Sequence, residues 1–127
     1  MRYTLVLHYP EMTAAELGPE ALAEGMAAFD AYAKALDESG VLVSAEVLAP
    51  SAQTRTVSAA SGVLVVQDGP FADTKGQLGG TVVIDVPDLD AALAWAEQAP
   101  PARYGTVEVR PCATRYVDGA WTGWQHP

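Results

Sequence analysis

The side chains best placed to do chemistry are His8, Asp85, Glu108 and Arg110, together with a Gly-rich run, Asp68–Gly80, that reads DGPFADTKGQLGG. An imidazole beside a carboxylate is a general acid–base pair, because the carboxylate orients the ring and favours its protonated form. The alternation of RYTLVLHY sets Tyr3, Leu5 and Leu7 on one side of a strand and Thr4, Val6 and His8 on the other. By the same parity Thr81, Val83 and Asp85 oppose Val82, Ile84 and Val86, while Glu108 and Arg110 oppose Val107 and Val109. If the apolar sets face a core, then His8, Asp85, Glu108 and Arg110 share one open surface. The alternative for His8 is a polar residue near a strand end or in a dimer interface.

The Asp68 run is the second candidate. A passive hairpin needs only about two to five loop residues, and here a thirteen-residue run, Asp68–Gly80, joins two apolar runs, Val63–Val66 and Val82–Val86. Glycines let backbone approach a ligand closely, Lys75 can meet an anionic group, and Asp68 can organise the pocket. The plainer reading has Asp68 bonding its own turn and Phe71 pinning the loop to the core. Candidate catalytic residues are therefore His8, Asp68 and Asp85, and candidate ligand contacts are Phe71, Lys75 and Arg110.

Other singletons carry less. Cys112 follows Pro111 at a strand end and reads as a buried thiol rather than a nucleophile. Its being the sole cysteine excludes an internal disulfide. His126 lies beside the C-terminus, and Trp121 and Trp124 read as covers for an apolar patch or a dimer contact rather than stacking platforms for a ligand. No ligand spacing for a metal is present. Gly79-Gly80 lacks phosphate-loop spacing, and no cofactor is expected.

The elements that must carry these residues follow from periodicity. Arg2–Tyr9 is a strand stopped by Pro10, and Thr13-Ala-Ala-Glu16 has capping-box spacing for a short turn. Pro19 opens a helix with the stripe Leu22, Met26, Phe29, Ala33, Leu36, and Gly40 sits at its C-terminal cap. Val41–Leu48 is a strand, and Thr54–Val57 pairs with Val63–Gln67 across Ser58–Gly62. Thr81–Val86 is a strand ended by Pro87. Asp88 caps a second helix whose inward face is Leu89, Ala92, Leu93 and Ala96, ended by Pro100-Pro101. Thr106–Arg110 is the last main strand, and Thr114–Val117 prolongs or follows it.

The 127 residues fit a single domain, 1–127, able to bury one core. Sixteen acidic residues against seven basic give a net charge of −9, which argues against contact with nucleic-acid phosphates or an anionic membrane. No apolar run approaches the roughly 18 residues of a membrane span, the N-terminus reads as a strand rather than a leader, and cytoplasmic residence is expected.

DGPF at Asp68–Phe71, GTVVIDVPDLDAALAWA after it and GTVEVRP at Gly105–Pro111 resemble the DGPF branch of the YCII-related family. The element order predicts a ferredoxin-like α+β fold, an antiparallel sheet with two helices on one face. The resemblance adds homodimers paired through their sheets in a dimeric α/β-barrel association. Where family members commonly carry Glu, this chain has Gly76, which lowers the acidity of the loop. Relatives with a His–Asp pair, a branch with lyase chemistry and genes near sigma factors frame the functional alternatives. The leading expectation is small-molecule binding on the open sheet face with acid–base catalysis of lyase or hydrolase type. Against it stand a non-catalytic ligand-sensing or protein-interaction module associated with sigma-factor regulation, and a purely structural dimer.

Overall fold

The computed structural model describes residues 1–71 and 76–123. In chain order the elements are β1 (Arg2–Tyr9), α1 (Ala14–Leu17), α2 (Pro19–Glu38), β2 (Leu42–Val47), β3 (Arg55–Ala60), β4 (Val63–Asp68), β5 (Gln77–Asp85), α3 (Leu89–Gln98), β6 (Thr106–Pro111), β7 (Tyr116–Val117) and β8 (Ala120–Trp121). Four strands form one antiparallel sheet in the order β2-β5-β1-β6. This α+β arrangement is compatible with a ferredoxin-like fold. β3 and β4 form a separate two-stranded hairpin between β2 and β5, and β7 and β8 form another near the C-terminal end.

Strand parity sorts the sheet as the alternation requires. Tyr3, Leu5 and Leu7 of β1 are buried with Val82, Ile84 and Val86, against Tyr32 and Leu36 of α2 and Ala92 and Ala96 of α3. Both helices therefore cover the same face, and Thr4, Val6, Thr81 and Val83 lie on the uncovered one, where each is only partly buried. Val107 and Val109 pack against the core from β6.

Local signals place the helix ends. Thr13 Oγ1 accepts from the Glu16 amide at 3.1 Å, capping α1. Gly40, at φ 74°, reverses the chain after α2, and the Val41 amide closes back on Leu36 O at 3.2 Å. The Asp88 carboxylate accepts from the Ala91 amide at 2.9 Å to start α3.

Four details depart from expectation. The buried residues of α2 are Tyr32 and Leu36, whereas Leu22 and Met26 are exposed; only the C-terminal half of this 20-residue helix lies over the sheet. On α3 the stripe is Ala92 and Ala96, with Leu89 and Leu93 exposed, because small side chains let the helix settle close to the strands. The β3–β4 turn is tighter than Ser58–Gly62: Ala60 pairs with Val63, and Ser61 and Gly62 take φ of 51° and 80°, a two-residue turn with both φ positive. Finally, the connection after Asp68 is shorter than thirteen residues, since β5 begins at Gln77. Gly79 and Gly80 are buried strand residues: a methyl on Gly79 would run into the Tyr9 ring, and one on Gly80 would lie 2.6 Å from Glu46 O. They are strand glycines that admit close neighbours.

Candidate functional site

His8 and Glu108 meet on the uncovered face. Glu108 pairs in register with Val6 on the neighbouring strand, so a diagonal step brings its carboxylate to His8. His8 Nε2 lies 2.6 Å from Glu108 Oε1, with side-chain exposures of 27% and 49%. An ionised carboxylate only accepts, so the proton of this bond belongs to Nε2. In the neutral ring Nδ1 is then the basic nitrogen, and in the protonated ring the carboxylate compensates the charge.

His8 also lines an open cleft of about 690 Å³ between the sheet and the β3–β4 hairpin. Leu48, Val57, Pro70, Phe71 and Leu78 give it largely apolar walls, and Arg55 and Gln77 add polar groups. A bulge shapes the wall beside His8: the register shifts between Leu7 and His8, so Leu78 rather than Gly79 stands opposite the histidine. Tyr9 fixes that bulge. Its hydroxyl donates to Gly79 O at 3.1 Å, and its ring packs against Phe29 and Tyr104 with centroids 6.4 and 6.1 Å away. Burial, with the neighbouring Tyr104 and Glu11, pushes the Tyr9 hydroxyl above its ordinary pKa.

The hairpin is held at its base. The Gly69 amide donates to Thr54 O at 2.8 Å, and Thr56 Oγ1 donates to Gly69 O at 2.6 Å. Asp68 reaches across the register to Arg55, with Nε–Oδ1 of 3.0 Å, so it pairs across the hairpin, and its side chain is 86% exposed. Glu11 ties the Leu48–Gln53 wall to the end of β1, accepting from the Ser51 amide and hydroxyl, each at 2.7 Å. Phe71 is 93% exposed and borders the cleft; it does not pin the loop to the core.

The open face carries the expected residues but divides them. Asp85 pairs with Arg2, six residues along β1 from His8, a distance of about 20 Å at strand rise. There its carboxylate accepts from the Met1 ammonium at 3.0 Å. That bond, opposed by a desolvation cost and aided by the charges of Met1, Arg2 and Arg115, holds Asp85 below the usual carboxylate range. Arg110 stands opposite Thr4, between the two ends. Parity assigns a face; only register assigns a position along it. The carboxylate that reaches His8 is thus Glu108, and neither Asp85 nor Asp68 does so. Lys75, Trp124 and His126 lie outside the described residues.

Cys112 is half-buried, more open than the buried thiol expected, and donates to Thr114 O at 3.4 Å. Trp121 is 66% exposed, edge-on to Tyr116 at 5.6 Å. Arg55 and Tyr9 were not singled out from sequence: the cue for Arg55 is its cross-hairpin pairing, and for Tyr9 the glycine opposite it. Among the described residues no helix is long and apolar enough to cross a membrane, and no three His, Cys, Asp or Glu side chains gather as a metal-ligand set.

Comparison with known proteins adds two findings. A family model described as a YCII-related domain matches residues 1–114. An uncharacterized protein of Rhizobium meliloti (strain 1021) is 41% identical over 78 residues, which are 60% of this chain and 63% of that protein. The chain thus spans under two thirds of the curated relative it matches.

Proposed function

This chain belongs to the YCII-related family, and we propose that it binds a small molecule with an apolar body in the cleft and moves a proton on it with the His8–Glu108 pair. One observation carries this reading: His8 lines the cleft and holds Glu108 at 2.6 Å. Neutral His8, with its Nε2 proton engaged by Glu108, accepts a proton from the bound molecule or from a water beside it. The imidazolium is stabilised by the carboxylate and returns the proton to the departing group. That cycle suits an elimination (lyase) or a hydrolysis, and the apolar walls with Phe71 favour an aromatic or aliphatic substrate. The Asp68–Phe71 segment supports assignment to the DGPF branch.

The same proposal includes a homodimer through the uncovered sheet face, in a dimeric α/β-barrel association that would screen the cleft from water. Cytoplasmic residence is part of it. A second reading, a ligand-sensing or protein-interaction module acting with a sigma-factor partner, is favoured by the β3–β4 hairpin, where Val57, Val63, Leu64 and Val66 are all exposed. A thermal-shift screen of metabolite pools against wild type and His8→Ala separates the two. The enzyme reading expects hits that fail to stabilise the variant and are consumed by wild type. Hits bound equally by both proteins and never consumed would favour the module.

A further inference from the structure

A second cavity, of about 140 Å³, lies at the opposite end of β1 from His8. Arg2 and Arg115 both line it, in a chain with only 7 basic residues against 16 acidic. Among the described residues neither guanidinium has an ion-pair partner. The Asp85 carboxylate, also in the lining, accepts from the Met1 ammonium at 3.0 Å instead. Arg2 Nε is shielded from water and has no hydrogen-bond partner. A guanidinium cannot shed its charge, and a dry, unpaired donor is costly to keep.

Of the two hydroxyls beside it, that of Thr122 is poised as a donor. Thr114 Oγ1 gives its proton to Thr122 O at 2.6 Å. Thr122 Oγ1 accepts from the Arg115 amide at 3.1 Å, so its own proton is available to Thr114 Oγ1 at 3.2 Å or to an acceptor in the cavity. The volume suits a compact group and a few waters. We infer that this cavity is a binding site for a small oxyanion, a carboxylate or a phosphate group, gripped by Arg2 and Arg115 with Thr122 donating. A small turn of Arg2 would present its Nε–H and one Nη–H side-on to two oxygens, satisfying the stranded donor. Asp85 limits the charge that fits and disfavours a large polyanion.

Cys112 lines the same cavity and is the sole cysteine, so it reports occupancy. The test titrates inorganic phosphate and succinate into the full chain by calorimetry, with sodium chloride at matched ionic strength, and follows alkylation of Cys112 by iodoacetamide. The expected result is saturable binding of at least one probe, with slower alkylation when it is bound. Arg115→Gln and Arg2→Gln should each weaken binding about tenfold or more, as loss of a charge-assisted fork implies, while Arg103→Gln, just after the Pro100–Ala102 turn and outside the cavity lining, leaves it unchanged. Circular dichroism checks folding, and Arg115→Gln carries the test if Arg2→Gln unfolds. Preference for one probe names the oxyanion class. Binding no better than chloride, binding that survives both variants, or binding that leaves Cys112 unprotected would overturn the assignment.

Discussion

Replacing Tyr32 by Phe removes one oxygen from the interior and leaves the ring in place. That oxygen has a defined task. At the end of α3 the Ala99 amide donates to Ala96 O, so the Trp95 carbonyl lacks the amide that would ordinarily close the ladder onto it. The Tyr32 hydroxyl takes that carbonyl at 2.7 Å, while its ring meets the Trp95 indole edge-on at 6.4 Å. Losing a hydrogen bond of this kind costs about 0.5–1.5 kcal/mol, and stranding the carbonyl raises this to roughly 1.5–2.5 kcal/mol. For a domain of this size the melting temperature should fall by roughly 6–10 °C.

Alkaline pH tests the same contact by another route. Burial pushes the Tyr32 hydroxyl from 10.0 up to about 12. Between those values the unfolded chain has lost this proton and the native chain retains it, so stability must fall as pH rises through the window. Two units correspond to about 2.7 kcal/mol, which we discount to roughly 1–2 kcal/mol for residual solvent screening around the ring. Urea unfolding from pH 7 to pH 12 should show this loss in wild type and a shallower one in Tyr32→Phe; Tyr9 and Tyr104, also raised, contribute equally to both. Equal melting temperatures at pH 7, or parallel alkaline limbs, would refute the reasoning.

Three further outcomes are expected. Gly79→Ala should cost about 1–3 kcal/mol by overpacking against Tyr9 and weaken cleft binding, read by denaturation and by titration of a screen hit. Asp68→Ala breaks an exposed pair and should cost no more than about 1 kcal/mol, yet it frees Arg55 at the cleft wall; a several-fold loss of affinity at unchanged melting temperature is expected, and an unchanged affinity would remove Asp68 from the site. Sedimentation at micromolar concentration should find a species of twice 13.3 kDa; a stable monomer would contradict the proposed pairing through the open face.

Much of the scaffold was legible because alternation records which side of a strand is wet. Tyr3, Leu5 and Leu7 could be assigned inward, and His8 and Glu108 outward, from spacing alone. The position of a residue along the strand was not legible, since it depends on register, and register separates Asp85 from His8 by most of the length of β1. Gly79 and Gly80 read as loop residues because their permissiveness is the same in a turn and in a crowded strand. The stripe on α2 misled at Leu22 and Met26 because periodicity reports what a helix can bury, not how far the sheet beneath it extends.

Nitrogen-15 NMR of the His8 side chain reads out whether Glu108 orients the ring to act on a molecule in the cleft. The chain has only two histidines, so a His126→Gln background makes the assignment unambiguous. A neutral ring protonated at Nε2 is expected, with the Nε2 resonance moving in Glu108→Ala as its 2.6 Å acceptor is lost, and the His8 Nδ1 resonance shifting when a screen hit is added. A ring protonated at Nδ1 in the wild type, or hits that leave both nitrogens unmoved, would contradict that role for the pair.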